Sequence, residues 1–283
     1  MFSLFVTILI FTYFTICFKW FQKFGVDNFS AIITNYLVAS SLGFILSDTS
    51  SLAAEGNLDK LLVFGGIIGF LFIAVFNLVA FSTQQAGIAI TVLVSKIASI
   101  VLPISFAFAI GTEVASATQI IALVLAISSL FFIINFTGVH AIKKAALLIL
   151  LGIFLGQGSV DIFFSQAKKI VLDNQKELFF AIIFGMASLA GIVFSFLNKR
   201  QKFKPTPKNL LWGVILGVPN YFSLRFFFAA LSELDNATAF LVLNIGIILL
   251  STLVGVVFYK ERLNEKNLVG IGLALVSLYL IFF

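Results

Sequence analysis

The sequence predicts an all-α, polytopic membrane protein of ten transmembrane helices in two inverted five-helix repeats. Three observations predict it: an apolar composition, ten apolar runs separated by short polar breaks, and a second half that repeats the first. The 283 residues are 61% hydrophobic and 11% charged, with a mean hydropathy of +1.15. An ordinary soluble domain carries roughly 25% charged residues, so the solvent of this chain is lipid. Because a helix needs about 20 apolar residues to cross about 30 Å of hydrocarbon, the length leaves room for about ten crossings. No separate soluble domain fits.

The apolar runs fall at residues 2–18, 29–47, 61–81, 86–110, 117–134, 145–166, 177–197, 209–231, 236–258 and 267–283. The first, from Phe2 to Phe18, is preceded by no Lys or Arg and followed by no clear small-residue cleavage site, so it reads as a retained helix. It closes at Gln22-Lys23-Phe24-Gly25, and the second run at Asp48-Thr49-Ser50-Ser51. Asn135 to Lys144 separates the fifth run from the sixth. Lys168 to Lys176 separates the sixth from the seventh, and Asn198 to Lys208, with Pro205 and Pro207, the seventh from the eighth. Backbone groups in lipid must be satisfied within their own segment, so runs this long are helices. Transmembrane strands are shorter and alternate polar with apolar, which the Phe- and Ile-rich runs do not. The lone cysteine, Cys17, lies in an apolar run and has no partner for an internal disulfide, so it reads as a small buried hydrophobe.

Sliding the chain on itself by 148 residues (213 less 65) aligns Gly65 with Gly213, Ile67 with Ile215 and Gly69 with Gly217. The same register pairs Ala89 with Ala237, Leu93-Val94 with Leu241-Val242, Ile97 with Ile245 and Leu102 with Leu250. It continues through Glu113 with Glu261, Leu125-Ala126 with Leu273-Ala274 and Ser129-Leu130 with Ser277-Leu278. Apolar matches are cheap in so biased a composition, whereas Gly and Glu matches in one register are not. The first repeat spans 1–134 and the second 145–283, within one integrated membrane domain. Five is odd, so the second copy starts from the opposite face and the halves are inverted. Inverted repeats suit a carrier, with the substrate near the midplane and alternating access by rocking of one half.

Each repeat closes on a short motif: Phe108-Ala109-Ile110-Gly111-Thr112-Glu113 before the fifth run, and Val257-Phe258-Tyr259-Lys260-Glu261-Arg262-Leu263 before the tenth. The second stretch, followed by Leu268-Val269-Gly270-Ile271-Gly272, resembles the small-residue, Glu, basic, Leu junction of the drug/metabolite transporter superfamily, specifically its ten-helix EamA-like members. The first copy departs from that pattern by lacking a basic residue after Glu113. The resemblance covers essentially the whole chain and implies carrier activity and this topology, without naming a substrate. It also implies that both termini lie in the cytoplasm. The charge count points the other way. Loops after the odd-numbered runs carry Lys19, Lys23, Lys143, Lys144, Lys199, Arg200, Lys202, Lys204, Lys208, Lys260, Arg262 and Lys266. The other face carries only Lys60, Lys168, Lys169 and Lys176, an asymmetry that favours both termini outside. A C-terminal reporter fusion read on both faces separates the two orientations.

Ionisable groups inside a bilayer cost about 2.5 to 3.5 kcal/mol each, so each needs a partner, a water-filled cavity or a function. Lys96 lies near the middle of the fourth run, flanked by Ser95 and Ser99, and Pro103 is expected to bend the same helix. Its repeat mate is Asn244, so the station is polar in both halves. As a binding group, Lys96 would take a carboxylate or phosphate or exchange a proton; as a structural group, it would bond to carbonyls of a broken helix. Asp161 and Arg225 lie at similar depth in the sixth and eighth runs and could form an ion pair, either a structural link near one interface or a gate. Gln157, Asp161 and Ser165 recur at i, i+4, i+8 as one polar stripe. Arg225 aligns with Asn77. Asn35 with Thr34, Asn77, and Asn220 beside Pro219 are further candidates to line a cavity, although buried amides also link helices. The expected substrate-binding set is therefore Lys96, Asn244, Asn35, Asn77 and Gln157. Repeated glycines read as helix contacts, Glu113 and Glu261 as caps or loop partners, and Trp20 and Trp212 as interfacial anchors.

No catalytic residues, metal or cofactor are expected. The single histidine, His140, excludes HExxH chemistry and His-based metal clusters, and one Cys cannot complete a thiolate site. No Gly-rich phosphate loop is visible, so transport draws on a gradient, with protons as a candidate co-substrate. The net charge of +6 sits in short loops rather than in a groove, which argues against nucleic acid. The functional expectation is a secondary carrier of a small polar metabolite, an amino acid or organic anion, in the lipid bilayer of a bacterial plasma (inner) membrane. The competing expectation is a membrane scaffold or accessory subunit without transport activity, in which all intramembrane polar groups are paired.

Overall fold

The computed structural model describes residues 2–47, 58–111, 116–135, 144–198, 201–233 and 236–282. Glu113 and His140 lie outside them. Among the described residues there are ten α-helices and no strand: α1 (Phe2–Phe24), α2 (Asn28–Leu46), α3 (Leu58–Gln85), α4 (Ile88–Ala109), α5 (Ala117–Asn135), α6 (Lys144–Lys168), α7 (Lys176–Leu197), α8 (Pro207–Glu233), α9 (Asn236–Tyr259) and α10 (Glu265–Phe282). Eight are long and apolar enough to cross a membrane; α5 qualifies only as a shorter apolar helix, and α10 begins on Glu265-Lys266. The protein is a polytopic integral membrane protein. Its surface agrees, since Phe5, Phe70, Phe131, Leu148, Phe196 and Phe258 are all exposed, an arrangement that only lipid tolerates on this scale.

Helix boundaries carry the repeat. Helices α2 and α7 begin at Asn28 and Lys176, α4 and α9 at Ile88 and Asn236, and α5 and α10 at Ala117 and Glu265, each pair 148 residues apart. Turns are compact where chemistry permits. After α1, Gly25 adopts φ +60°, and Asp27 then caps α2 by accepting from the Ser30 N–H at 2.9 Å. Between α3 and α4, Gly87 adopts φ +99°.

The chain forms two compact units, each drawing on both halves of the sequence. The first comprises residues 1–15, 81–158 and 226–283, and the second residues 16–80 and 159–225. In the first, α4 packs on its repeat mate α9 and α5 on its mate α10, where the Ser277 hydroxyl donates to the Ala122 carbonyl at 2.7 Å. In the second, α2 packs on its mate α7, and the Ser40 hydroxyl donates to the Ala181 carbonyl at 2.9 Å.

The repeated glycines lie at the closest helix approaches of the second unit. A Cβ on Gly65 would meet Ile182 and one on Gly69 would fall 2.6 Å from the Ile183 carbonyl. On the opposite pairing, a Cβ on Gly213 would meet Thr34 and one on Gly217 would fall 2.7 Å from the Asn35 carbonyl. Thr34 and Asn35 are the repeat mates of Ile182 and Ile183, so the contact made by α3 on α7 is made again by α8 on α2 with the partners exchanged. Such exchange is what a two-fold relation between repeats produces. Substituting Gly217 with leucine forces these backbones apart, and we expect a loss of about 1 to 3 kcal/mol or more, read as a lower melting temperature of the purified protein in detergent. The same change at the open Gly272, which has nothing within 4 Å of a Cβ, is expected to leave the melt unchanged.

Candidate functional site

Of the residues singled out by sequence, Lys96, Gln157 and Asn244 fall in the first unit and Asn35, Asn77, Asp161 and Arg225 in the second.

Lys96 is the ninth residue of α4, about 12 Å along its axis at 1.5 Å per residue. Its side chain is partly buried, and the ammonium lies over the Phe11 ring of α1, 4.7 Å from the centroid. A ring face carries a negative quadrupole and so attracts a cation. Beside it, the Ser99 hydroxyl bonds back to the Ser95 carbonyl at 3.2 Å. The amino-terminal part of α1 also touches α9: Ile8 fills the space over Gly246, and the Ser251 and Thr12 hydroxyls lie 3.4 Å apart. Asn244, two residues before Gly246, is buried. Gln157, on α6, is partly buried.

In the second unit, Asn35 is fully buried and its amide is occupied. Its Oδ1 accepts from Asn220 Nδ2 of α8 at 3.0 Å, and its own Nδ2 reaches the Ile32 carbonyl at 3.5 Å. The geometry makes Asn35 a link between α2 and α8 rather than an open wall. Asn77 turns its Nδ2 back to the Ile73 carbonyl at 2.7 Å, one turn earlier on α3. Replacing Asn35 by leucine strands the Asn220 amide; we expect a loss of about 0.5 to 2 kcal/mol in the melt, with a double cycle to Asn220 recovering part of it.

Arg225 has a carboxylate partner that the sequence reading passed over. Its Nε stands 3.7 Å from Glu177 Oε1 in the first turn of α7, and the buried Tyr221 hydroxyl donates to the other oxygen, Oε2. Asp161 is partly buried on α6. Glu177 escaped notice because it sits where a polar break ends and a span begins, a place where a charge requires no explanation.

Glu261 caps a helix distant in sequence. One carboxylate oxygen accepts from the Ile88 N–H at 2.7 Å and the other from the Ala89 N–H at 3.2 Å, satisfying two of the free donors at the start of α4. Two glycines make room: a Cβ on Gly87 would stand 2.9 Å from Glu261 Cδ, and one on Gly255 2.5 Å from Oε2. Lys260, in the left-handed region at φ +53°, swings the chain so that the Glu261 N–H donates to the Gly255 carbonyl at 3.0 Å.

Residues 143–283 match the sequence profile of the EamA-like transporter family. A protein of Haemophilus influenzae (strain Rd), itself uncharacterized, is 30% identical over 265 residues, covering 89% of this chain and 88% of the relative. A protein of known crystal structure superposes with a TM-score of 0.57 at 15% identity, over 98% of this chain and 94% of its own, a likeness in fold alone.

Proposed function

Since the chain belongs to the EamA-like transporter family, whose members are membrane transporters of the drug/metabolite type, we propose that it is a secondary carrier of a small polar metabolite in a bacterial plasma membrane. The substrate class is an amino acid or organic anion, moved by alternating access between the two inverted repeats, with protons as the candidate coupling ion. The observation that carries this reading is Lys96: an ammonium well inside an otherwise uncharged helix, set over the Phe11 ring. An ammonium at that depth offers a substrate carboxylate a charge-assisted hydrogen bond. Asn244 supplies the polar mate in the second repeat, and Gln157 of α6 is a further polar residue of the same unit. Asn35 and Asn77 belong to the second unit, where their amides bond to its own helices. A comparison of metabolites in cells with and without the protein identifies the substrate, and flux of that compound in proteoliposomes, with and without an imposed proton gradient, tests the reading. Absence of any flux under both conditions would count against a carrier.

A further inference from the structure

The cluster of Glu177, Tyr221 and Arg225 occurs in one repeat only. The equivalent positions of the first repeat, 148 residues earlier, are Phe29, Ile73 and Asn77. Phe29 and Ile73 are both buried. The sister half thus builds the same helices with apolar side chains at two of the three positions, so the fold itself does not require a carboxylate and a phenol there. An ion pair this exposed contributes little to stability, about 0 to 1 kcal/mol, which makes stability a weak reason for keeping it.

The geometry of the cluster is that of an unsaturated anion site. Glu177 has one oxygen taken by the Tyr221 hydroxyl, and the other stands at the loose distance of 3.7 Å from Arg225 Nε. The Arg225 side chain is 48% exposed and that of Glu177 25%. The guanidinium, a rigid fork of N–H donors that fits carboxylate and phosphate oxygens two at a time, thus belongs to a half-exposed side chain rather than an enclosed one. We propose that Arg225 is the binding residue for an external anion of the carboxylate or phosphate class, and that Glu177, steadied by Tyr221, is the resting counter-ion against which that anion competes. This deepens the carrier reading by giving one repeat a charged station that the other lacks, but it is tested as binding, so it can fail while flux stands, or stand while flux fails.

The full chain, purified in dodecyl maltoside, which carries neither phosphate nor carboxylate, would be melted while following the emission of Trp20 and Trp212. Succinate would be titrated at fixed ionic strength, and phosphatidylglycerol in mixed micelles as a second arm. We expect the melting temperature to rise with at least one probe: a rise with succinate identifies a soluble anion, and a rise with phosphatidylglycerol alone a lipid headgroup. Arg225→Gln should remove the rise or raise the half-saturating concentration about tenfold or more, the loss of one charge-assisted contact. Arg225→Lys, which keeps the charge without the fork, should lose most of it and serves if the first variant does not fold. Removing the competitor should act oppositely, so Glu177→Gln should saturate at a several-fold lower concentration, a gain that a purely structural ion pair would not produce. No rise with either probe, an equal rise in the Arg225 variants, or unchanged saturation in Glu177→Gln would overturn the proposal.

Discussion

Replacing Lys96 by methionine is expected to reduce flux through the reconstituted protein by roughly ten- to a hundredfold, while the melting temperature stays within a degree or two. The size follows from the chemistry: a hydrogen bond from a charged donor to a carboxylate contributes about 1.5 to 3 kcal/mol, and each 1.4 kcal/mol is tenfold in an equilibrium constant. Methionine preserves the unbranched apolar stem that packs along α4 and can still set its sulfur against the Phe11 ring, so little packing is lost. Lys96→Arg separates two roles. If Lys96 binds substrate, the longer guanidinium should retain part of the flux with a raised KM. If it exchanges a proton, arginine, which does not deprotonate in proteins, should abolish coupling while leaving binding in place. Flux equal to wild type in the methionine variant would remove Lys96 from the binding set.

Some of this architecture was plain in the sequence, and the reason is the solvent. In lipid, every span must be apolar and helical over its whole length, so the run predicted at 177–197 is α7 at Lys176–Leu197 and that at 117–134 is α5 at Ala117–Asn135. The repeated Gly65, Gly69, Gly213 and Gly217 were equally legible, because a small residue repeated in register marks a close backbone approach made twice. Charges embedded in apolar runs also announce themselves, which is why Lys96 and Arg225 stood out. Their partners did not. Phe11 is one of 36 phenylalanines, and nothing local tells it from a lipid-facing neighbour. Glu177 sits in a helical first turn, where an acidic residue is ordinary. Comparing the repeats by their differences rather than their matches would have exposed it, since Phe29, Ile73 and Asn77 stand where Glu177, Tyr221 and Arg225 do.

The largest loss of stability is expected at Glu261. A carboxylate that accepts two backbone N–H groups at a helix start combines charge-assisted hydrogen bonding with a favourable position at the positive end of the α4 dipole. Glu261→Ala leaves the Ile88 and Ala89 donors without their acceptor and empties the space that Gly87 and Gly255 keep open for it. The expected cost is roughly 2 to 4 kcal/mol, enough to lower the melt of the purified protein by several degrees and its yield in membranes. Glutamine tests the charge separately. It keeps one acceptor for Ile88 but turns an NH2 group toward the Ala89 N–H, so Glu261→Gln should fall between wild type and alanine. Gly255→Ala should mimic the alanine variant from the other side, because its Cβ would fall 2.5 Å from Glu261 Oε2 and push the carboxylate out of place. A double variant of Glu261→Ala with Gly255→Ala should then cost little more than either alone, since both remove the same cap. Additive losses would show that the two residues act independently, and that the cap across 173 residues of sequence is not what holds the start of α4.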